Sequence, residues 1–121
     1  GVLRGMHFQK NNPQGKLVHV LKGEVFDVVV DIRRDSKTFG YWIGEYLNDK
    51  NRKQFWIPPG LAHGFVVISE YADLYYKLTQ YYDPADEGRL IWDDDDVGIK
   101  WPVKKPLLSK KDQKGLSLKD L

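Results

Sequence analysis

The 121-residue chain is long enough for one domain that buries about two thirds of the surface exposed on unfolding. Hydrophobic residues make up 41% of it and aromatic residues 13%, which excludes intrinsic disorder, and the absence of cysteine excludes disulfides and thiolate sites. The net charge is +2, and no basic stripe with interleaved aromatic residues indicates nucleic-acid binding. No apolar run approaches the roughly 20 residues of a spanning helix, so we expect no membrane span, and no signal-peptide pattern is visible.

The first half of the chain is predicted to form strands. The opening stretch GVLRGMHFQ is an apolar strand that carries an Arg and a His. Residues 16–33 contain two strand-like runs around Gly23, a pattern that predicts a hairpin. In the second run, alternating positions form one apolar face, and the other face is mixed because it includes Asp27 and Asp31.

The second half continues in the same way. Strands are predicted in YWIGEYL, QFWI, LAHGFVVIS and ADLYYKLTQYY, and the Pro-Pro-Gly of residues 58–60 forces a tight turn. The stretch DPADEG is predicted to be a loop, and residues 109–112 are typical of a short C-terminal helix. Short strands broken by Gly and Pro predict a single all-β domain over residues 1–121, an antiparallel barrel or sandwich.

His7 is the first candidate for a functional site. It shares the alternation of Leu3 and Gly5, whereas Arg4 has the opposite parity. Both side chains can face one pocket only if the strand bulges, and Gly5 is the residue type that permits a bulge. A lone His on a strand is more often a hydrogen-bonded core residue than a catalyst.

Lys16 lies on the apolar face of its strand, with Val18 and Val20. A cation there is costly unless it meets an anion. Glu24 or Asp27 could supply a structural partner, whereas a developing enolate or a phosphate would be a functional one.

His63, in PPGLAHGF, and Tyr76, in LYYKL, are also predicted to point inward, whereas His19 and Tyr75 point outward. A buried Tyr commonly does no more than find a hydrogen-bond acceptor. The barrel interior is nevertheless predicted to be lined by two His, a Lys, an Arg and a Tyr. This combination favours a functional site.

A metal site is disfavoured, because only two His point inward and no His-x-His pair is present. The DDDD run of residues 93–96 lacks the spacing of a calcium loop and is predicted to be an exposed turn. A metal-free acid–base pocket that contains a cation suits proton abstraction next to a carbonyl group.

A series of motifs from Gly1 to about Asp112 resembles the dTDP-4-dehydrorhamnose 3,5-epimerase family. They are LRGMHFQ, PQGKLV, GEVFDVVVDIR, TFGYW, WIPPGLAHGF, YYKLTQYY, DEG, GIKWP and LSKKD, in the order and spacing of the family. The resemblance implies a cupin-like jelly roll that works as a cytoplasmic homodimer without metal or cofactor. It implies epimerisation at C3 and C5 of dTDP-4-dehydro-6-deoxy-D-glucose to dTDP-4-dehydro-L-rhamnose, in dTDP-L-rhamnose biosynthesis for lipopolysaccharide or cell-wall polysaccharide.

The resemblance also implies roles for individual residues. His7 matches the catalytic base, and Asp112 matches the carboxylate that fixes its tautomer. Tyr76 matches the proton donor on the opposite face of the sugar, and Lys16 matches the group that stabilises the enolate. Substrate contacts are implied for Arg4, Gln14, His63, Glu87 and Lys111.

Several alternatives remain open at this level. Asp120, in LSLKD, competes with Asp112 as the partner of His7, and Ser109 could simply cap a helix that begins there. The family has a region before LRG that contributes to the dimer and the nucleotide site, so this chain is either a piece of a longer protein or a shortened relative. Rival functions are a mono-epimerase or ketoisomerase on the same dTDP-sugar, and a non-catalytic sugar-nucleotide-binding barrel.

Overall fold

Two antiparallel sheets make up most of the computed structural model, which describes residues 1–121. The strands are β1 (Leu3–Gln9), β2 (Lys16–Lys22), β3 (Glu24–Asp31), β4 (Trp42–Asn48), β5 (Gln54–Ile57), β6 (Leu61–Val67), β7 (Asp73–Leu78) and β8 (Glu87–Arg89). One sheet has the order β4-β3-β6-β1-β8 and the other the order β5-β2-β7. The only helices are 3₁₀ turns at Asp112–Lys114 and Leu118–Asp120, and neither is long enough to cross a membrane.

The hairpin predicted around Gly23 is wrong, although both of its strands exist. β2 pairs with β5 and β7, whereas β3 pairs with β4 and β6, so the chain passes from one sheet to the other at Gly23. Gly23 has a φ of +85°, and a Cβ there would lie 2.3 Å from the carbonyl oxygen of Tyr71. The turn therefore needs glycine for its conformation and for its close approach to another loop.

The inner strands β3 and β6 of the five-stranded sheet are buried on both faces. The β3 residues Phe26 and Val28 point into a core closed by the C-terminal segment, whereas Val25 and Val29 point into the core between the two sheets. Burying one such side chain contributes about 1.5–3 kcal/mol. The mixed face predicted for β3 thus lies between the sheets, where Asp27 is fully buried.

The stretch predicted as the loop DPADEG ends in a strand, because Glu87 begins β8. This three-residue strand pairs with the end of β1 and extends the sheet by one strand. Three residues are too few for a periodic pattern to identify.

Asp94 corrects the prediction that residues 93–96 form an exposed turn. Its side chain is buried, and its Oδ1 accepts hydrogen bonds from the amides of Asp96 and Val97. Its Oδ2 accepts a third hydrogen bond from the amide of Leu118, at 2.9 Å. Asp94 therefore fixes the C-terminal segment onto the sheet, and only its three Asp neighbours are exposed.

The predicted C-terminal helical segment consists of the two 3₁₀ turns alone. Ser109 Oγ accepts a hydrogen bond from the amide of Asp112, as the capping interpretation of Ser109 predicted. The first turn places Asp112 against β1, where its Oδ2 accepts a hydrogen bond from the amide of Gly5 at 3.4 Å.

Candidate active site

The predicted bulge in β1 is present. The register of β1 against β6 shifts between Arg4 and His7, and both side chains consequently line one cleft. Gly5, between them, has a φ of +127°, and a Cβ there would lie 2.7 Å from the Cα of Gly64. The bulge therefore depends on glycine at position 5.

The cleft has a volume of about 320 Å³ and receives side chains from both sheets. It is lined by Arg4, His7, Gln14, Lys16, His63, Gly64, Phe65, Tyr76, Leu78 and Tyr82. Six residues predicted for the site are among them. His19 and Tyr75 lie opposite each other on the outer face of the three-stranded sheet, as their parity predicted.

His7 forms a pair with Asp112, because Nε2 of His7 lies 2.7 Å from Oδ1 of Asp112. The carboxylate is buried, and a carboxylate at this position favours a proton on Nε2. Nδ1 is then the unprotonated ring nitrogen that can accept a proton. Asp120, the alternative partner, is exposed, and its carboxylate accepts a hydrogen bond from the hydroxyl of Ser117.

A second His–Asp pair lies deeper in the fold. Nε2 of His63 lies 2.8 Å and 3.0 Å from the two carboxylate oxygens of Asp27, and both residues are buried. Lys16 completes this group, with its Nζ 3.5 Å from Nδ1 of His63. Of the two anions considered as partners of Lys16, Asp27 is the one whose charge acts on the ammonium. Glu24 instead accepts a hydrogen bond from the side chain of Asn48 on β4.

Burial lowers the pKa of the Lys16 ammonium, and the negative charges of Asp27 and Glu87 partly oppose this effect. The lowered pKa means that the loss of the Lys16 charge begins at a lower pH than for a lysine in water. While it is protonated, Lys16 presents its ammonium to any oxygen in the cleft that gains negative charge.

Tyr76 stands on β7 beside the second pair, with its ring edge-on to His63 at 6.0 Å between centroids. Although 40% of the residue is exposed, desolvation in the cleft raises the pKa of its hydroxyl. The charge of Asp27 raises this pKa further, and the charge of Arg4 opposes the change. Tyr76 therefore keeps its proton over a wide pH range.

Two of the predicted substrate contacts lie outside the cleft. Glu87 lies behind His7, with its Oε1 3.8 Å from Nε2 of His7, and it lines a neighbouring cavity. Its Oε2 accepts a hydrogen bond at 2.7 Å from the hydroxyl of Tyr82, and this bond raises the pKa of that hydroxyl. Lys111 is exposed and lines neither cavity, although it directly precedes Asp112.

The sequence prediction did not include Tyr82 and Arg89. Arg89 approaches both carboxylates behind His7, at 3.4 Å from Glu87 and 3.8 Å from Asp112. Its spacing of two residues from Glu87 would have indicated a shared face, had β8 been predicted as a strand. No group of three or more His, Asp or Glu side chains is arranged to hold a metal ion.

The model of one protein family matches residues 1–120, and its description is dTDP-4-dehydrorhamnose 3,5-epimerase. A relative of that name from Pseudomonas aeruginosa is 53% identical over 99% of this chain and 67% of its own length. Another from Salmonella typhimurium is 57% identical over 92% of this chain and 62% of its own length. A dTDP-4-dehydrorhamnose 3-epimerase from Streptomyces niveus is 44% identical over 98% of this chain and 58% of its own length.

Solved structures of related epimerases superimpose closely on this chain. A dTDP-6-deoxy-D-glucose-3,5-epimerase from Legionella pneumophila, crystallised with dTDP-4-keto-L-rhamnose, superimposes with a TM-score of 0.95 at 52% identity. The match covers 98% of this chain and 64% of that one, so the chain spans about two thirds of the length of its relatives. The expected cupin-like jelly-roll fold is thereby confirmed. The chain belongs to the dTDP-4-dehydrorhamnose 3,5-epimerase family.

Proposed function

We propose that this chain is the catalytic domain of an isomerase that inverts C3 and C5 of dTDP-4-dehydro-6-deoxy-D-glucose. The product is dTDP-4-dehydro-L-rhamnose, an intermediate of dTDP-L-rhamnose biosynthesis. The observation that carries the proposal is the His7–Asp112 pair, whose imidazole shares one cleft with Lys16 and Tyr76.

Abstraction of a proton is the first step. C3 and C5 both flank the C4 ketone, so the hydrogen on either carbon becomes acidic through enolisation. Nδ1 of His7 takes the proton from carbon, the electron pair of the C–H bond moves into the enolate, and the C4 oxygen becomes negatively charged. Asp112 stabilises the imidazolium that forms, which supports a general-base role for His7.

Lys16 stabilises the enolate oxygen. Its ammonium is partly desolvated and its neighbour His63 is held by Asp27, so the cation is positioned before the reaction begins. Removing one such donor from an oxyanion site typically costs about 10²–10³-fold in rate.

Return of a proton to the opposite face completes the inversion. Tyr76 gives its hydroxyl proton to the carbon, and the tyrosinate recovers a proton from solvent while His7 releases its own. Tyr76 lines the same cleft as His7 and carries a proton at neutral pH, as tyrosine ordinarily does, so it is available as an acid. Repetition at the second carbon gives the double inversion.

A mono-epimerase on the same substrate is the second candidate. The 3-epimerase from Streptomyces niveus is 44% identical to this chain, within the range of its matches to 3,5-epimerases, so family membership does not separate the two activities. A non-catalytic sugar-nucleotide-binding barrel is less well supported, because binding alone does not need a buried carboxylate behind His7.

The proposal is tested by proton NMR of dTDP-4-dehydro-6-deoxyglucose with this chain in D₂O. We expect deuterium at both C3 and C5, and its loss with His7→Ala. Label at one carbon alone would indicate the mono-epimerase. A folded chain that binds dTDP but exchanges neither hydrogen would overturn the catalytic proposal.

The family also supports a homodimer in the cytoplasm as the working form. Sedimentation equilibrium tests the homodimer, since a monomer over the concentrations used for turnover would contradict it.

A further inference from the structure

We propose that Arg89 is a positioning residue that keeps the His7 base in its unprotonated form, by neutralising the two carboxylates behind it. The inference rests on the proposed function and goes beyond it, because Arg89 lies outside the lining of the cleft. It adds a residue that acts through His7 and does not touch the substrate.

The position of Arg89 follows from strand pairing. Arg89 on β8 is the direct partner of His7 on β1, and paired residues of neighbouring strands point to the same face of a sheet. Both side chains therefore reach the same two carboxylates, that of Glu87 on β8 and that of Asp112 in the C-terminal 3₁₀ turn.

Each carboxylate lies between an imidazole and a guanidinium. Asp112 Oδ1 is 2.7 Å from Nε2 of His7 and 3.8 Å from Nε of Arg89. Glu87 Oε1 is 3.8 Å from Nε2 of His7 and 3.4 Å from Nη2 of Arg89. The four side chains thus form a closed group of alternating charge when His7 is protonated.

Arg89 acts in this group chiefly as a charge. Its Nε is buried and has no hydrogen-bond partner, although a buried guanidinium nitrogen normally has one. The 3.8 Å separation from Asp112 is too long for a hydrogen bond but short enough for a Coulomb interaction, which the burial of the carboxylate strengthens.

The electrostatic consequence concerns the proton on His7. Two carboxylates behind an imidazole favour its cationic form, and a protonated His7 cannot remove a proton from carbon. One guanidinium charge at these distances offsets much of that effect. The other ionisable groups that face His7, all lining the cleft, are Arg4, Lys16, His63, Tyr76 and Tyr82.

The experiment measures kcat and KM from pH 5 to pH 9 for wild type, Arg89→Gln and Arg89→Lys. In Arg89→Gln we expect the acidic limb of kcat to move up by roughly one pH unit, the change expected for a lost neighbouring charge. Activity on that limb would fall about tenfold, while the maximal kcat and KM change little. Arg89→Lys should restore most of the original profile, and Lys77→Gln, on the outer face of β7, controls for net charge.

If kcat of Arg89→Gln were lower at every pH and the acidic limb did not shift, the proposal would be overturned in favour of a purely structural role. A rise in KM without a shift would overturn it in favour of direct substrate binding, since Arg89 also lines the neighbouring cavity of about 600 Å³.

A second measurement does not depend on turnover. The chain has three His, so the ring signals of His7 can be assigned by comparison with His7→Gln and followed by NMR against pH. The titration midpoint of the His7 ring should rise in Arg89→Gln, even if the wild-type chain proves inactive as an epimerase. An unchanged midpoint overturns the proposal for Arg89 and leaves the proposed function intact.

Discussion

Nε2 of His7 and Oδ1 of Asp112 lie 2.7 Å apart, although 105 residues separate them along the chain. The contact joins the first strand to a 3₁₀ turn near the C terminus, so it forms only when the C-terminal segment has packed against β1. His7 itself faces the cleft, whereas Asp112 is buried behind it. This arrangement makes the carboxylate a determinant of the tautomer and a poor candidate for contact with substrate.

Asp112→Asn should therefore lower kcat by about 10²–10⁴-fold with little change in KM, because the amide can hold the wrong tautomer of His7. Steady-state kinetics by NMR or a coupled assay measures the change. Asp120→Asn is the matched control, since Asp120 is exposed and contacts Ser117. Equal losses in the two variants would contradict the assigned pairing.

In Tyr76→Phe, the substrate should still exchange its carbon-bound hydrogen with solvent, but the configuration at that carbon should no longer be inverted efficiently. His7 can still remove a proton and return deuterium from D₂O to the same face, so the substrate should take up deuterium without change of configuration. Product should fall by about 10²-fold or more, the usual contribution of a positioned acid. Tyr75→Phe, on the outer face of the same strand, should match wild type. Normal inversion in Tyr76→Phe would show that another group is the acid.

Lys16 should set the alkaline limit of the reaction. Because burial lowers its pKa from the ordinary value of 10.5, kcat should fall as the pH rises through this lowered pKa and the ammonium loses its charge. Tyr76 cannot cause that fall, since its own pKa is raised. In Lys16→Arg the charge persists, so the alkaline limb should vanish from the pH profile even if the plateau is lower. A limb that persists in Lys16→Arg belongs to a different group.

Gly5→Ala should reduce the free energy of unfolding by more than about 2 kcal/mol, because its φ of +127° and the contact with Gly64 both oppose a Cβ. Urea denaturation measures the loss. Gly98→Ala is the control, since Gly98 has a φ of +68° but its Cβ would meet nothing closer than 3.8 Å. Similar losses in the two variants would mean that the contact with Gly64 has no cost of its own.

Sequence reasoning predicted the parts of the site that depend on alternation along single strands. The parity of Lys16 and Tyr76 placed both inward, and the opposite parities of Arg4 and His7 required the bulge that the structure contains. Two-residue periodicity determines which face a side chain occupies, so these features can be predicted locally.

What the sequence did not predict depends on contacts between distant segments. The supposed hairpin at Gly23 is a crossing between sheets, because strand adjacency in the sequence does not fix strand pairing. The burial of Asp94 and the position of Arg89 were missed for a similar reason. Asp94 bonds to the C-terminal turn, and Arg89 belongs to a three-residue strand that exists only against β1.

The cleft takes His7 and His63 from the five-stranded sheet and Lys16 and Tyr76 from the three-stranded sheet. A small separation of the two sheets would therefore dismantle the constellation while every strand kept its neighbours. Turnover is then a more sensitive reporter of sheet docking than circular dichroism is. At low denaturant concentration, inactivation should precede the loss of β-structure, which would link catalytic competence to the docking of the two sheets rather than to global stability.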